Sequence, residues 1–149
     1  MNELFGCDIS YLYIDKEQQY LAFITFFKKI YLYYADGDCC SHSWFESINN
    51  PENIIDSEII GIEKKEIITG KENDDNSVIA FGYTLKTNKG YTDIEFRNES
   101  NGYYGGSCIL IPEKDIQFEN EITREDFSNK KPIIIKVGHK KITLDSYIK

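Results

Sequence analysis

The stretch that most constrains the fold, residues 90–111, alternates apolar and polar side chains and then turns sharply. Its alternate side chains would face opposite sides of one strand: Thr92, Ile94 and Phe96 on one side, and Asp93, Glu95 and Arg97 on the other. This period of two predicts a half-buried β-strand. The residues at 98–102 are rich in Asn and Gly, which favour a tight turn. The apolar run at 108–111 predicts a return strand, so we expect a hairpin.

Similar patterns predict further strands, which we place at residues 7–14, 19–27, 30–34, 58–68, 77–87, 132–137 and 142–144. With residues 77–87, the opening stretch would make a three-stranded meander spanning 77–111. We expect the polar segment 70–76 to be a loop, and residues 113–131 to be charged and irregular.

Short helices are expected at three places. Ser43 and Glu46 have the spacing of a capping box, and Trp44 and Ile48 would meet on one helical face, so residues 41–48 predict one or two helical turns. A second short helix would follow Pro51 at 52–56, and a single turn is possible at 123–127. The predicted fold class is α+β in one domain, residues 1–149: a mainly antiparallel sheet with one or two short helices.

The formal net charge of -8 argues against a nucleic-acid partner bound through a basic face. It suits a basic protein partner, although it could serve solubility alone. No apolar run reaches the roughly 20 residues of a membrane span, and the first residues do not resemble a secretory signal. We therefore expect a cytoplasmic protein with no membrane partner; its oligomeric state is left open.

The sequence offers no convincing catalytic or metal-binding group. Cys40 and His42 are only two residues apart and lack an evident orienting acid, so a buried cysteine beside a surface histidine is the simpler interpretation. Adjacent Cys39 and Cys40 do not have zinc-site spacing, and the acidic turn at 36–38 lacks the frame of a calcium loop. We expect no metal, no cofactor and no enzymatic activity.

Several side chains beside predicted turns are candidates for partner binding, because arginine can hold anionic groups with paired hydrogen bonds and exposed aromatic residues are frequent binding anchors. An ion pair of Arg97 with a neighbouring acid is the competing interpretation. The candidates are Trp44, Asp74, Asp75, Arg97, Asn101, Tyr103 and Tyr104.

Two short elements of the chain resemble a family of small bacterial and phage proteins. They are an Asp-Cys-Cys element at 38–40 and a Ser-Asn-Gly-Tyr-Tyr element at 100–104, within a similar region of about residues 30–111. Bacterial members of similar appearance look like immunity proteins encoded beside toxin genes. Phage members look like sponge proteins that sequester cyclic ADP-ribose-type immune signals.

These observations leave three functional hypotheses. The first is an immunity protein that covers the basic active-site face of a nuclease-like toxin, with carboxylates as phosphate mimics and aromatic side chains as anchors. The second is a nucleotide-sequestering protein, in which Arg97 takes phosphate, Tyr103 or Trp44 stacks on a base and Asn101 contacts polar edges. The third is an enzyme of unknown type, which no catalytic constellation supports.

The cysteine pattern gives a first prediction. Because the spacing of Cys7, Cys39, Cys40 and Cys108 fits neither a disulfide framework nor a zinc site, all four should be thiols. Thiol titration in denaturant should count four, and elemental analysis should find no zinc. A lower thiol count, or one zinc per chain, would contradict the prediction.

Overall fold

The structure is a computed structural model that describes residues 1–37, 41–67, 77–100 and 106–148, and the description below concerns those residues. Their regular elements are twelve strands and one short helix: β1 Asp8–Asp15, β2 Tyr20–Thr25, β3 Ile30–Gly37, β4 His42–Asn49, β5 Ser57–Glu58, β6 Gly61–Ile67, β7 Ser77–Thr87, β8 Gly90–Ser100, β9 Gly106–Leu110, β10 Ile116–Phe118, α1 Arg124–Ser128, β11 Ile133–Val137 and β12 Lys140–Ser146. Three 3₁₀ turns lie at Asn2–Leu4, Pro51–Asn53 and Glu113–Asp115.

The strands form two antiparallel sheets. The larger runs in the order β10-β11-β12-β1-β2-β3-β9, with β5 pairing beside β1, and it curls into a half-barrel. The smaller runs in the order β4-β8-β7-β6. The fold is therefore mostly antiparallel β-structure, and its helical part is smaller than an α+β label suggests.

Strands β1, β2 and β3 are shared between two hydrophobic cores. In β2, Leu21 and Phe23 point into the core between the two sheets, where they join Phe45, Phe81 and Phe96 of the smaller sheet. The alternate residues of β2 point into the hollow of the half-barrel, with the following apolar neighbours: Tyr13, Ile30, Leu32, Phe127, Ile133, Ile135, Ile142 and Leu144. Burial on both faces explains why β2 is a continuous apolar run rather than an alternating one.

Helix α1 closes one side of this hollow. Thr123 and Asp126 form a capping box, since each side chain accepts a hydrogen bond from the other residue's backbone N–H. The cap holds the helix in place and directs the fully buried Phe127 against the rings of Tyr11 and Tyr13. Burial raises the pKa of Tyr13 to about 12, so its hydroxyl keeps its proton and donates to the Lys131 carbonyl at 3.0 Å.

The predicted helix at 41–48 is wrong, because this segment is strand β4. Its side chains are buried and exposed in alternation, and its backbone pairs with β8. The capping-box spacing of Ser43 and Glu46 therefore has no capping role: the Ser43 hydroxyl instead donates to the Asp36 carbonyl at 2.9 Å. Trp44 and Ile48 do not share a face, because a β-bulge between Phe45 and Ser47 shifts the alternation by one residue.

The predicted hairpin within residues 90–111, and with it the three-stranded meander, is also wrong. Both strands exist, and Thr92, Ile94 and Phe96 are buried as predicted. However, β8 pairs with β4 and β7, whereas β9 leaves the smaller sheet and pairs with β3 in the larger one. The crossing lets Cys108 and Leu110 of β9 pack on the core between the sheets.

Most of the other predicted strands are confirmed, with changed ends. The strand expected at 58–68 divides into β5 and β6, and the segment expected to be irregular at 113–131 contains β10 as well as α1. The helix expected after Pro51 is a 3₁₀ turn. The expected loop at 70–76 and the turn centred on Asn101 and Gly102 lie outside the described residues. No helix among the described residues is long and apolar enough to cross a membrane.

The place where β9 joins the larger sheet gives a second prediction. A Cβ on Gly106 would lie 2.6 Å from Asn98 Nδ2 and 2.8 Å from the Asp36 carbonyl, and it would also collide with Ser43 Oγ. Gly106→Ala should therefore lower the free energy of unfolding by about 1–3 kcal/mol, as overpacking does. Gly61→Ala is the control, because its nearest neighbour would be Lys86 Cβ at 3.4 Å. Equal midpoints of urea denaturation for the two variants would contradict this account of the crossing.

Candidate functional site

The outward face of the smaller sheet, here called the open face, carries the polar side chains of its four strands. Its side chains are exposed or half-buried, and they include His42, Trp44, Glu46, Glu63, Lys65, Asp93, Glu95 and Arg97. The opposite face of the same sheet holds the core residues, so the alternation along β8 divides the strand into an apolar side and a charged side.

Trp44 and Arg97 lie directly opposite each other on β4 and β8. The His42 ring stacks on the Trp44 indole, with centroids 5.2 Å apart and an interplanar angle of 21°. The stacked ring of His42, two residues earlier on the same strand, gives the indole a defined orientation on the open face.

The β-bulge in β4 places Glu46 between Trp44 and Arg97. Because the bulge sets two residues of β4 against one of β8, Glu46 and Ser47 both stay outside the core and Ile48 returns to it. The indole Nε1 of Trp44 donates to Glu46 Oε2 at 2.5 Å. Phe45 N–H donates to the Gln18 carbonyl at 2.8 Å, which ties the outer edge of β4 to the larger sheet.

Arg97 lies between two carboxylates. Its Nη2 is 3.2 Å from Glu95 Oε2 and its Nη1 is 3.8 Å from Glu46 Oε1, while its side chain is 28% exposed. Its buried Nε has no hydrogen-bond partner among the residues that the structure describes. The competing interpretation of Arg97, an ion pair with a neighbouring acid, is therefore confirmed for Glu95. Glu46 adds a second carboxylate to the pair.

A shallow trough of about 350 Å³ continues this site across the sheet. Gly82 has no side chain and leaves space at its centre, while Asp93 and Glu95 lie along one side and Lys65 along the other. The Asp93 carboxylate accepts a hydrogen bond from Thr84 Oγ1 at 2.7 Å. The trough is large enough for one or two side chains of a partner, and carboxylates line one wall.

The structure brings together two of the predicted binding residues, Trp44 and Arg97. The other five predicted residues, namely Asp74, Asp75, Asn101, Tyr103 and Tyr104, lie outside the described residues. Sequence analysis missed Glu46, Asp93 and Glu95 as site residues. The alternation of β8 indicated Asp93 and Glu95, because it placed them on the same side of the strand as Arg97. The bulge that positions Glu46 has no recognisable sequence pattern.

The described residues do not bring together three His, Cys, Asp or Glu side chains in a metal-like cluster. Burial raises the pKa of the Cys108 thiol to about 12, so this cysteine is protonated at neutral pH and is a poor nucleophile. His42 packs on Trp44, and its suggested partner Cys40 lies outside the described residues. Among the described residues, the open face presents the carboxylates of β4 and β8 around the Trp44 indole.

Residues 3–110 match the family described as a domain of unknown function, DUF7448. The match covers more than half of the chain, which therefore belongs to this family. The searches of curated proteins and of solved structures each gave no match. The matched segment ends with β9, so the open face lies inside it, whereas β10–β12 and α1 lie beyond it. The family description assigns no activity, and the resemblance to immunity and sponge proteins stays a prediction.

Proposed function

We propose that this chain is a non-enzymatic immunity protein that binds and neutralises a toxin with a basic surface, and that the open face is its binding surface. The observation that carries the proposal is the Trp44 indole, fixed by Glu46 among the carboxylates of β8. Aromatic residues surrounded by polar contacts are the usual anchors of protein interfaces, and complementary charges increase the rate of association.

Arg97 has a positioning role in this proposal. It holds the carboxylates of Glu46 and Glu95 in place before the partner arrives, which lowers the entropic cost of binding. One guanidinium cannot neutralise two carboxylates, and Asp93 and Glu63 add further negative charge to the same face. Lysine or arginine side chains of the toxin would bind there as they would to phosphate groups, leaving the toxin unable to reach its substrate.

The charge of the whole chain supports the same partner class. A net charge of -8 attracts a basic protein over distances longer than a direct contact, and the effect weakens as salt is added. An anionic nucleotide would be repelled by the same charge, and Arg97, its proposed phosphate ligand, is already held by two carboxylates. These features favour the immunity hypothesis over the alternative of a sponge for cyclic ADP-ribose-like signals.

The anchor gives a third prediction. Trp44→Ala should weaken binding to the toxin encoded next to this gene by about 2 kcal/mol or more, mainly through faster dissociation. Phe27→Ala is the matched control, because Phe27 is an exposed aromatic residue at the far end of β2. Binding kinetics of the purified pair measure both rates. A dissociation rate of the Trp44→Ala variant equal to that of the wild type would exclude Trp44 as the anchor.

The carboxylates give a fourth prediction that tests a different rate. Asp93→Asn combined with Glu95→Gln keeps the size of both side chains and removes two charges, so association should slow by about tenfold at low salt. The difference from the wild type should shrink at high salt, and dissociation should change less. A salt-independent association rate in the wild type would contradict electrostatic attraction to this face.

Co-expression tests the function itself. The chain should protect cells from the neighbouring toxin, and the Trp44→Ala variant should protect them less. If the toxin still kills cells, and the purified chain instead captures a cyclic nucleotide in a stoichiometric ratio, the immunity proposal fails and the sponge takes its place.

A further inference from the structure

The turn between β2 and β3, residues 26–29, presents two phenylalanine side chains to solvent. Phe27 is 81% exposed and Phe26 is 45% exposed, and their rings pack edge to face with centroids 5.4 Å apart. We call this turn the Phe tip. Burial in a core would stabilise the chain, so two adjacent phenylalanines left exposed on a hairpin turn call for an explanation beyond packing.

The backbone of the Phe tip closes in a tight turn that places Lys28 in the left-handed region. Lys28 N–H donates to the Thr25 carbonyl at 2.9 Å, and Thr25 N–H donates to the Lys29 carbonyl at 2.9 Å, which closes a tight turn. Lys28 has φ of 66°, the left-handed region in which glycine or asparagine is favoured. A lysine at this position is unfavourable for the turn but adds a positive charge beside the two rings.

Cations lie around the rings. The Arg124 guanidinium carbon is 3.8 Å from the centroid of Phe26 and 5.9 Å from that of Phe27. Lys28 Nζ donates to the Ile122 carbonyl at 3.2 Å, and Lys29 follows it in the turn. Lys28, Lys29 and Arg124 thus bring three positive charges to the two rings in a chain of net charge -8, and Glu113 is the acid whose charge acts on Lys29.

We infer that the Phe tip is a peripheral contact for an anionic lipid surface, into which the two phenylalanines insert while Lys28, Lys29 and Arg124 meet headgroup phosphates. Aromatic side chains flanked by lysine and arginine are the usual composition of segments that settle at a membrane interface. A bilayer accommodates a convex tip, whereas a protein partner would need a matching acidic-rimmed pocket.

The net negative charge of the chain does not prevent this contact. At physiological ionic strength charges are screened over about 8 Å, so the carboxylates of the open face have little effect at the Phe tip. The two surfaces lie beside opposite ends of strand β2: Phe45 of the open-face strand β4 bonds to Gln18 just before β2, and the Phe tip follows the end of β2. Lipid contact is therefore independent of the proposed toxin binding.

Vesicle sedimentation gives the fifth prediction. The wild type should sediment with vesicles of phosphatidylcholine containing about a third phosphatidylglycerol, and less with phosphatidylcholine alone. Phe26→Ala combined with Phe27→Ala should lower the partition coefficient by about tenfold or more. Lys28→Glu combined with Lys29→Glu should remove the preference for the anionic vesicles. Trp44→Ala is the control and should partition as the wild type does.

A reporter variant separates insertion from loose adsorption. Because Trp44 is the only tryptophan of the chain, Trp44→Phe combined with Phe27→Trp places the only indole at the Phe tip. Its emission should shift to the blue on adding anionic vesicles. The inference is overturned if the wild type sediments with neither vesicle, if the double alanine variant binds as the wild type does, or if the emission does not shift. The inference is also overturned if the wild type does not bind vesicles and the Phe27→Ala variant loses toxin binding. That result would assign the Phe tip to a pocket of the protein partner.

Discussion

Burial of β2 on both faces is the interaction on which the rest of the structure depends. A strand with two apolar faces needs a partner layer on each, and the chain provides them from different regions. The smaller sheet covers one face with Phe45, Phe81 and Phe96, and the C-terminal strands with Phe127 cover the other. Because each face of the strand stabilises a different layer, a substitution in β2 would affect both cores at once.

The position of the open face follows from this arrangement. The apolar side of β8 is held against the larger sheet, so Asp93, Glu95 and Arg97 must point outward. The bulge in β4 then changes which side chains accompany them, and it places Glu46 beside Arg97 and Trp44. A regular strand would have kept Trp44 and Ile48 on the same face, so the fold and the site both depend on one irregular residue pair.

Sequence analysis predicted most strands because alternation is a local property that neighbouring residues express. It identified β7, β8 and the charged side of β8 from periodicity alone. It could not predict that β9 pairs with β3, because a turn sequence does not specify which strand the chain meets next. The strand β4 was predicted as a helix because Ser43 and Glu46 have the spacing of a helix cap, whereas the bulge at Glu46 has no sequence pattern that would have indicated a strand. The single helical turn considered at 123–127 corresponds to α1, which the Thr123–Asp126 capping box and the buried Phe127 stabilise.

The two proposed surfaces depend on different parts of the chain. The open face is built from β4, β6, β7 and β8, which all lie within the matched residues 3–110, and the first core lies beneath them. The Tyr147 hydroxyl of the C-terminal segment also bonds to the backbone of Ile48 in β4. The Phe tip lies within the match, but Arg124 and the Ile122 carbonyl that hold it come from the segment after it. That segment also fills the second core, so it both completes the burial of β2 and positions the Phe tip. The proposed toxin-binding face therefore lies on strands inside the family match, whereas the proposed lipid contact also uses side chains of the segment after it.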